Sequence, residues 1–351
     1  NPDDFLCFPA QVGHLIIYIY FNKEFIGLGS ALANLFELVQ EQELMKAPDA
    51  ICVFGAKRSE LKDYGDFPTV YFDDIENNLL VGVVPDGDEF GYFGYLKKMA
   101  LTLHNVLCIK KGRLPVHGAM VNIKLKGNIT ANVLLVGDSG AGKSESIEAF
   151  RSLSATYLRQ MTVIFDDMGS LVIEDGDIKA YGTETGAFVR LDDLQPEFAF
   201  GNIDRSIIMS PQKINARVVI PITTLEEIQK GYHVDYIFYA NNYDQVDSSQ
   251  TFLEIFDDAQ EAIKVFRDGA RMAKGTTSEV GITHSYFANP FGAPQHKEQH
   301  EKIAKKFFDL FFERKIAVGQ LRTRLGIPGF EKKGPESAAK AMFDYIIGTK
   351  S

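Results

Sequence analysis

The sequence predicts an α/β protein of two lobes. Short runs rich in β-branched and aromatic residues alternate with stretches whose apolar residues recur every three or four positions. One glycine-rich segment lies between such a run and such a stretch, and a chain of 351 residues is long enough for two ordinary domains. The apolar runs at 14–21, 50–54, 78–84, 132–136, 162–165, 217–222 and 235–239 read as strands. Helical periodicity marks 30–43, 94–108, 144–153, 260–273 and 295–313, and an amphipathic stretch at 337–347 is expected to pack against the second lobe. Residues 110–115 (KKGRLP) interrupt the pattern with Gly and Pro, which places a boundary there: a lobe over 1–112 and another over 113–351.

A formal net charge of −10 argues against a general nucleic-acid binder, which needs a basic face to displace counterions from phosphate. An anionic small molecule remains a compatible substrate if a few cations or a metal converge locally. Cys7, Cys52 and Cys108 are odd in number, widely spaced and flanked by apolar residues, so buried thiols in a reducing compartment are expected rather than disulfides. No run of eighteen apolar residues occurs and no secretory leader is visible, so the expected location is the cytoplasm, with no membrane partner.

The most specific motif is Gly137-Asp138-Ser139-Gly140-Ala141-Gly142-Lys143-Ser144, which fits G-x-x-x-x-G-K-[ST] between a strand and a helix. Glycines in such a loop let backbone N–H groups approach a phosphate chain. Lys143 then reaches the β- and γ-phosphates, and the Ser144 hydroxyl ligates a Mg²⁺ bridging them. A phosphoryl-transfer site also needs carboxylates, and Asp166-Asp167 close the run at 162–165, where α/β proteins place their ligands. Neighbours on a strand face opposite ways, so the two acids are expected to have different tasks. His117, fifteen residues before the strand that enters the loop, gains weight only from this constellation.

These residues resemble the ATP-dependent phosphoenolpyruvate carboxykinases. The stretch GYLKKMALTLHNVLCIKKGRLPVHGAMV is similar to the family's segment from a Lys-Lys pair to a metal-binding His, with the separation from Lys98 to His117 kept. FDDMGSL, YGTETGAFVRLDDL, Asn215-Ala216-Arg217, FRDGARMAKGTTSEVGIT and SYFANPFGAP follow in the family's order. In the first lobe, 56–64 (AKRSELKDY) is similar to its Arg-Ser-Pro-Lys-Asp segment and Tyr92 to its substrate-stacking tyrosine. The resemblance implies a two-lobed phosphoenolpyruvate carboxykinase-like fold, with a substrate lobe over 1–112 and a P-loop nucleotide- and metal-binding lobe over 113–351. It implies that Lys98, His117 and Asp167 hold a catalytic Mn²⁺, and that Ser144, with Asp166 nearby, serves the nucleotide's Mg²⁺. Lys97 and Arg217 would meet the transferred phosphoryl group, Arg58 would orient the substrate carboxylate, and Lys97, Lys98, Arg217, Lys143 and Asp166 form the implied catalytic set. A lysine ligates a metal only as the neutral amine, a form that a neighbouring cation favours.

The implied reaction decarboxylates oxaloacetate to an enolate and transfers a phosphoryl group to it, giving phosphoenolpyruvate, CO₂ and a nucleoside diphosphate. ATP, GTP and pyrophosphate all stay open as donor, and a monomer or small homo-oligomer is expected. The chain also departs from the family: Gly118-Ala119 follows His117 in place of Cys-Ser, Met168-Gly169 follows the acid pair, and Ser144-Glu145 closes the loop. The region after Lys332-Lys333-Gly334 is shorter than the family's base-enclosing segment. His117-Gly118 and Gly-Lys-Ser-Glu are similar to HPr kinase/phosphorylase, which implies an alternative, a kinase of a protein or small-molecule hydroxyl.

Overall fold

A computed structural model describes residues 2–61, 70–153, 157–190, 207–209, 217–246, 251–273 and 280–350. In chain order the elements begin with β1 (Phe5–Val12), β2 (Leu15–Asn22), α1 (Ile26–Ala31), β3 (Glu37–Leu38), β4 (Ala50–Ala56), β5 (Val70–Asp74), β6 (Leu79–Pro85) and α2 (Phe93–Lys110). There follow β7 (Leu114–Leu125), β8 (Thr130–Val136), α3 (Lys143–Leu153), β9 (Leu158–Glu174), β10 (Asp177–Gly182), β11 (Gly186–Arg190), β12 (Ile207–Met209), β13 (Arg217–Pro221) and α4 (Leu225–Gln229). The last are β14 (Tyr232–His233), β15 (Tyr236–Asn241), β16 (Leu253–Ile255), α5 (Ala259–Asp268), β17 (Ala270–Met272), β18 (Ile282–His284), α6 (Lys297–Glu313), β19 (Ala317–Arg322) and α7 (Lys333–Lys350). The fold is mixed α/β, in two compact units: Asn1–Lys111 with Thr183–Gln229, and Gly112–Gly182 with Lys230–Ser351.

The first unit carries a sheet of order β3-β1-β2-β4-β6-β5, parallel along β2-β4-β6 and antiparallel at its edges, and a small sheet of order β11-β13-β12. Its core joins Ile17, Ile19, Cys52, Phe54 and Leu80 from the strands to Phe93, Leu96, Ala100 and Leu103 on α2.

The second unit is built on an eight-stranded sheet of order β14-β10-β9-β7-β8-β15-β19-β16. Side chains alternate across it. Val133, Leu135 and Phe238 meet Ile147 and Phe150 of α3 and Ala339, Met342 and Ile346 of α7 on one face. Leu134, Val136, Ile237 and Tyr239 meet Phe266 of α5 and Phe307, Phe308 and Phe311 of α6 on the other. Both faces are covered, which is why the inner strands read as unbroken apolar runs.

Three expectations from periodicity are corrected. The helix expected over 30–43 stops at Ala31, continues as a 3₁₀ turn over Leu32–Asn34 and becomes β3. The Leu35 carbonyl instead receives the backbone N–H groups of Thr185 and Gly186, so tertiary partners take the group a helix would use. The stretch expected as helix over 260–273 ends at Gly269, which takes a left-handed φ of 57° as cap, and 270–272 form β17. The strand seen at 162–165 is the middle of β9, which runs from Leu158 to Glu174. Among the described residues, no helix is long and apolar enough to cross a membrane.

Candidate functional site

In the second unit β8, β15 and β19 run parallel, so their C-terminal ends share one edge of the sheet. There the loop 137–142 joins β8 to α3, with Gly140 and Gly142 at φ of 76° and 94°. Each neighbouring strand end braces it. Thr323, just past β19, donates its hydroxyl to the Ala141 carbonyl at 2.7 Å. Asn242, just past β15, donates to the Gly140 carbonyl at 2.9 Å and to the Met272 carbonyl at 3.0 Å, and accepts from the Met272 N–H at 2.7 Å. Asp138 accepts the Ser139 N–H at 2.7 Å and the Arg271 Nε–H at 3.0 Å, in a pair that is almost wholly buried. The loop is thus held in shape by fixed partners, the preorganisation an anion cradle needs. Lys143 is buried, and its ammonium donates to the Gly137 and Asp138 carbonyls at 2.7 and 3.1 Å.

The paired acids face different partners. Asp166 accepts the Ser144 hydroxyl, at 3.0 and 3.1 Å to its two oxygens. Asp167 has a φ of 129°, unusual for a residue with a Cβ, and its Oδ1 lies 2.9 Å from Nε2 of His117. The His117–Asp167 contact crosses the β7–β9 ladder, in which His117 pairs with Met168 and Gly118 with Asp167, whereas Ser144 approaches Asp166 from α3. Gly118 has no room for a side chain, because a Cβ would stand 2.6 Å from the Leu135 carbonyl oxygen.

His117 is 1% exposed and its Nδ1 lies 2.7 Å from the Ala288 carbonyl. A carbonyl only accepts, so Nδ1 carries the hydrogen. In the neutral ring Nε2 is then a lone pair facing a carboxylate oxygen, and two acceptors at 2.9 Å need a proton or a cation between them. A histidine that gives one N–H to a backbone carbonyl and turns the other nitrogen toward a carboxylate has the form of a metal ligand. His117 Nε2 and Asp167 Oδ1 thus supply two of the donors that a divalent ion would need. Among the described residues no group of three His, Cys, Asp or Glu is arranged to hold a metal, so His117 and Asp167 would need a ligand of another type.

In the first unit, Lys97 on α2 is buried and its ammonium lies 2.9 Å from Glu184, with side chains 5% and 2% exposed. The Thr183 hydroxyl donates to the same carboxylate. Burial pushes the Tyr92 phenol up, and the charges of Arg217 and Lys97 pull it back, which places both cations within electrostatic reach of the ring. Arg217, at the start of β13, lies 5.3 Å from the centre of the Phe188 ring, and Phe188 lies 5.8 Å from Tyr92. The Arg217 Nε–H is buried with no hydrogen-bond partner among the described residues. Lys97, Tyr92 and Arg217 are thus brought together. Arg58 forms an exposed pair with Glu89 at 3.1 Å, and Lys98 is exposed on α2.

Sequence reasoning passed over Glu184, Asn242, Arg271, Ala288 and Thr323. Glu184, Arg271 and Ala288 lie in segments that carry the resemblance, whereas nothing local marks Asn242 or Thr323. Lys62, Asp63, Tyr64, Asn215, Ala216 and residues 191–194 and 274–279, all in segments that carry the resemblance, lie outside the described residues. Compared with protein-family models the chain matches none, and no curated protein matches it.

Proposed function

We propose that this chain is a nucleotide-dependent phosphoryl-transfer enzyme of the phosphoenolpyruvate carboxykinase type, with a P-loop nucleotide lobe and a substrate lobe. It would convert oxaloacetate and a nucleoside triphosphate to phosphoenolpyruvate, CO₂ and the diphosphate. One observation supports the reading: two separate polar pairs, Ser144 with Asp166 and His117 with Asp167, lie beside one braced glycine-rich loop.

Loop amides and Lys143 would receive the phosphates, the ammonium exchanging its two carbonyl partners for phosphate oxygens. Ser144 and Asp166 would hold Mg²⁺, and His117 and Asp167 would hold Mn²⁺. Bound there, the ions would offset charge on the phosphates and on the enolate oxygen. Lys97 is paired with Glu184 in a buried setting, and the Arg217 Nε–H has no partner among the described residues, so both would donate to an anionic carboxylate or phosphoryl group. Tyr92 adds an aromatic wall, and Arg58 a guanidinium for the substrate carboxylate. The substrates are small and soluble, in keeping with a cytoplasmic enzyme that needs neither nucleic acid nor membrane.

The His117–Asp167 contact also supports one second reading, a hydroxyl kinase, in which that pair takes the acceptor's proton. Carboxylation of phosphoenolpyruvate by bicarbonate with Mn²⁺, followed through malate dehydrogenase and NADH, separates the two. Turnover with ADP, GDP or phosphate supports the carboxykinase and names its donor. No turnover from protein that binds both nucleotide and Mn²⁺ rejects it in favour of the kinase.

A further inference from the structure

Tyr286, Phe287 and Ala288 form a tight turn in which Phe287 and Ala288 both have a φ of 52°. Two successive non-glycine residues in the left-handed region are rare, and such conformations persist only where the surroundings dictate them. The surroundings here do. The Phe287 ring is buried, 4.9 Å from the His300 ring and 6.4 Å from Phe308. The Tyr286 hydroxyl donates to Glu301 at 2.9 Å, and Glu301 is paired with Arg267 of α5. His300 is fully buried, with Nδ1 3.2 Å from the Tyr286 oxygen. Since that hydroxyl gives its hydrogen to Glu301, His300 must donate from Nδ1. From below, Gly269 takes a φ of 57° at a point where a Cβ would stand 1.7 Å from the Ser285 carbonyl oxygen and 2.6 Å from the Ala288 N.

The Ala288 carbonyl delivered by this turn is the acceptor for Nδ1 of His117. We infer that the turn 285–289 is a positioning element for the metal centre, and that Tyr286 and His300 hold it so that the Ala288 carbonyl fixes His117 with Nε2 free to ligate. The inference rests on reading His117 as a metal ligand. A turn that served only to reverse the chain would not require this strained pair; a carbonyl held to one direction does. Neither residue touches the ion, so both act through His117, and loss of such an outer partner lowers metal affinity about 10- to 100-fold.

The test uses the full chain and Mn²⁺ alone, with free Mn²⁺ read by electron paramagnetic resonance. Histidine-selective ¹⁵N NMR of the metal-free protein reports the tautomer. For the unaltered chain, His117 should carry a hydrogen on Nδ1. Tyr286→Phe keeps the ring and removes the hydroxyl; it should weaken Mn²⁺ binding about tenfold and broaden or shift the His117 Nδ1 signal, with metal-free nucleotide affinity unchanged. Gly269→Ala, which pushes on the turn from below, should do the same more strongly; if it does not fold, Tyr286→Phe decides alone. His117→Ala is the reference. If it weakens Mn²⁺ binding while Tyr286→Phe leaves both the affinity and the signal unchanged, the inference is overturned and the metal reading stands. If His117→Ala leaves Mn²⁺ binding intact, the metal reading fails and the inference falls with it.

Discussion

The Thr323 hydroxyl oxygen, which donates to the Ala141 carbonyl, stands 2.6 Å from where a Cβ on Gly142 would lie. A hydrogen bond from a distant strand end and the absence of a side chain in the loop thus specify each other. Gly142 also has a φ of 94°, which costs any other residue about 1 kcal/mol or more. Gly142→Ala is expected to weaken binding of a fluorescent nucleoside diphosphate by more than about tenfold, since strain and clash together exceed about 1.4 kcal/mol. Thr323→Val should lose only the hydrogen bond, about 1 kcal/mol in urea unfolding, and less nucleotide affinity. Equal affinity for the Gly142→Ala and unaltered chains would separate the loop from nucleotide binding.

Asp138 and Arg271 form a buried pair at 3.0 Å, with side chains 11% and 8% exposed. Removing one partner leaves the other charge buried without compensation, a change of about 3–5 kcal/mol in such sites. Arg271→Met should lose about 3 kcal/mol in urea unfolding. Adding Asp138→Asn should restore part of that loss, because the stranded charge is gone. Strictly additive losses would show that the two side chains do not act as a pair.

Arg217 keeps a buried Nε–H with no partner among the described residues, beside Phe188 and within reach of Tyr92. Under the proposed reaction that donor meets charge that develops during phosphoryl transfer. Arg217→Ala should therefore lower kcat by about 100-fold while the nucleotide KM changes little. A rise in KM at constant kcat would make Arg217 a ground-state binding residue.

His300 gives the fold a dependence on acid. Burial lowers its pKa from 6.5 to about 4, against a weaker opposing pull from Glu301. Between those values the unfolded chain holds more protons than the folded one, so stability rises with pH across that window. This contribution is complete above pH 6.5 and is lost as pH falls toward 4, by about 3 kcal/mol in all. Chemical unfolding at pH 7.5, 6 and 4.5 should show the decline, and His300→Gln should flatten it. A variant with the same pH slope would assign the dependence to other groups.

Much of the local structure was legible in the sequence. The strand, loop and helix around Gly137–Ser144 lie close together in the chain, and glycine spacing and apolar periodicity report such neighbours directly. The buried strands of the second unit were visible as apolar runs because both sheet faces are covered. The helix expected over 30–43 was not formed, because Leu35 finds its backbone partners about 150 residues further on.

By itself the sequence singled out candidates for chemistry: the loop, the acid pair at 166–167 and the histidine at 117, with the cations at 97 and 217 through its resemblance to a known family. Tertiary structure alone decided how they are aimed. The β7–β9 register sets Asp167 against His117, a turn 171 positions away supplies the Ala288 carbonyl, and Glu184 meets Lys97 from 87 positions further along the chain. The physical reason is that periodicity and motif spacing encode which face a side chain occupies, whereas a hydrogen bond between distant segments depends on strand register, loop closure and the packing that holds a strained turn in place.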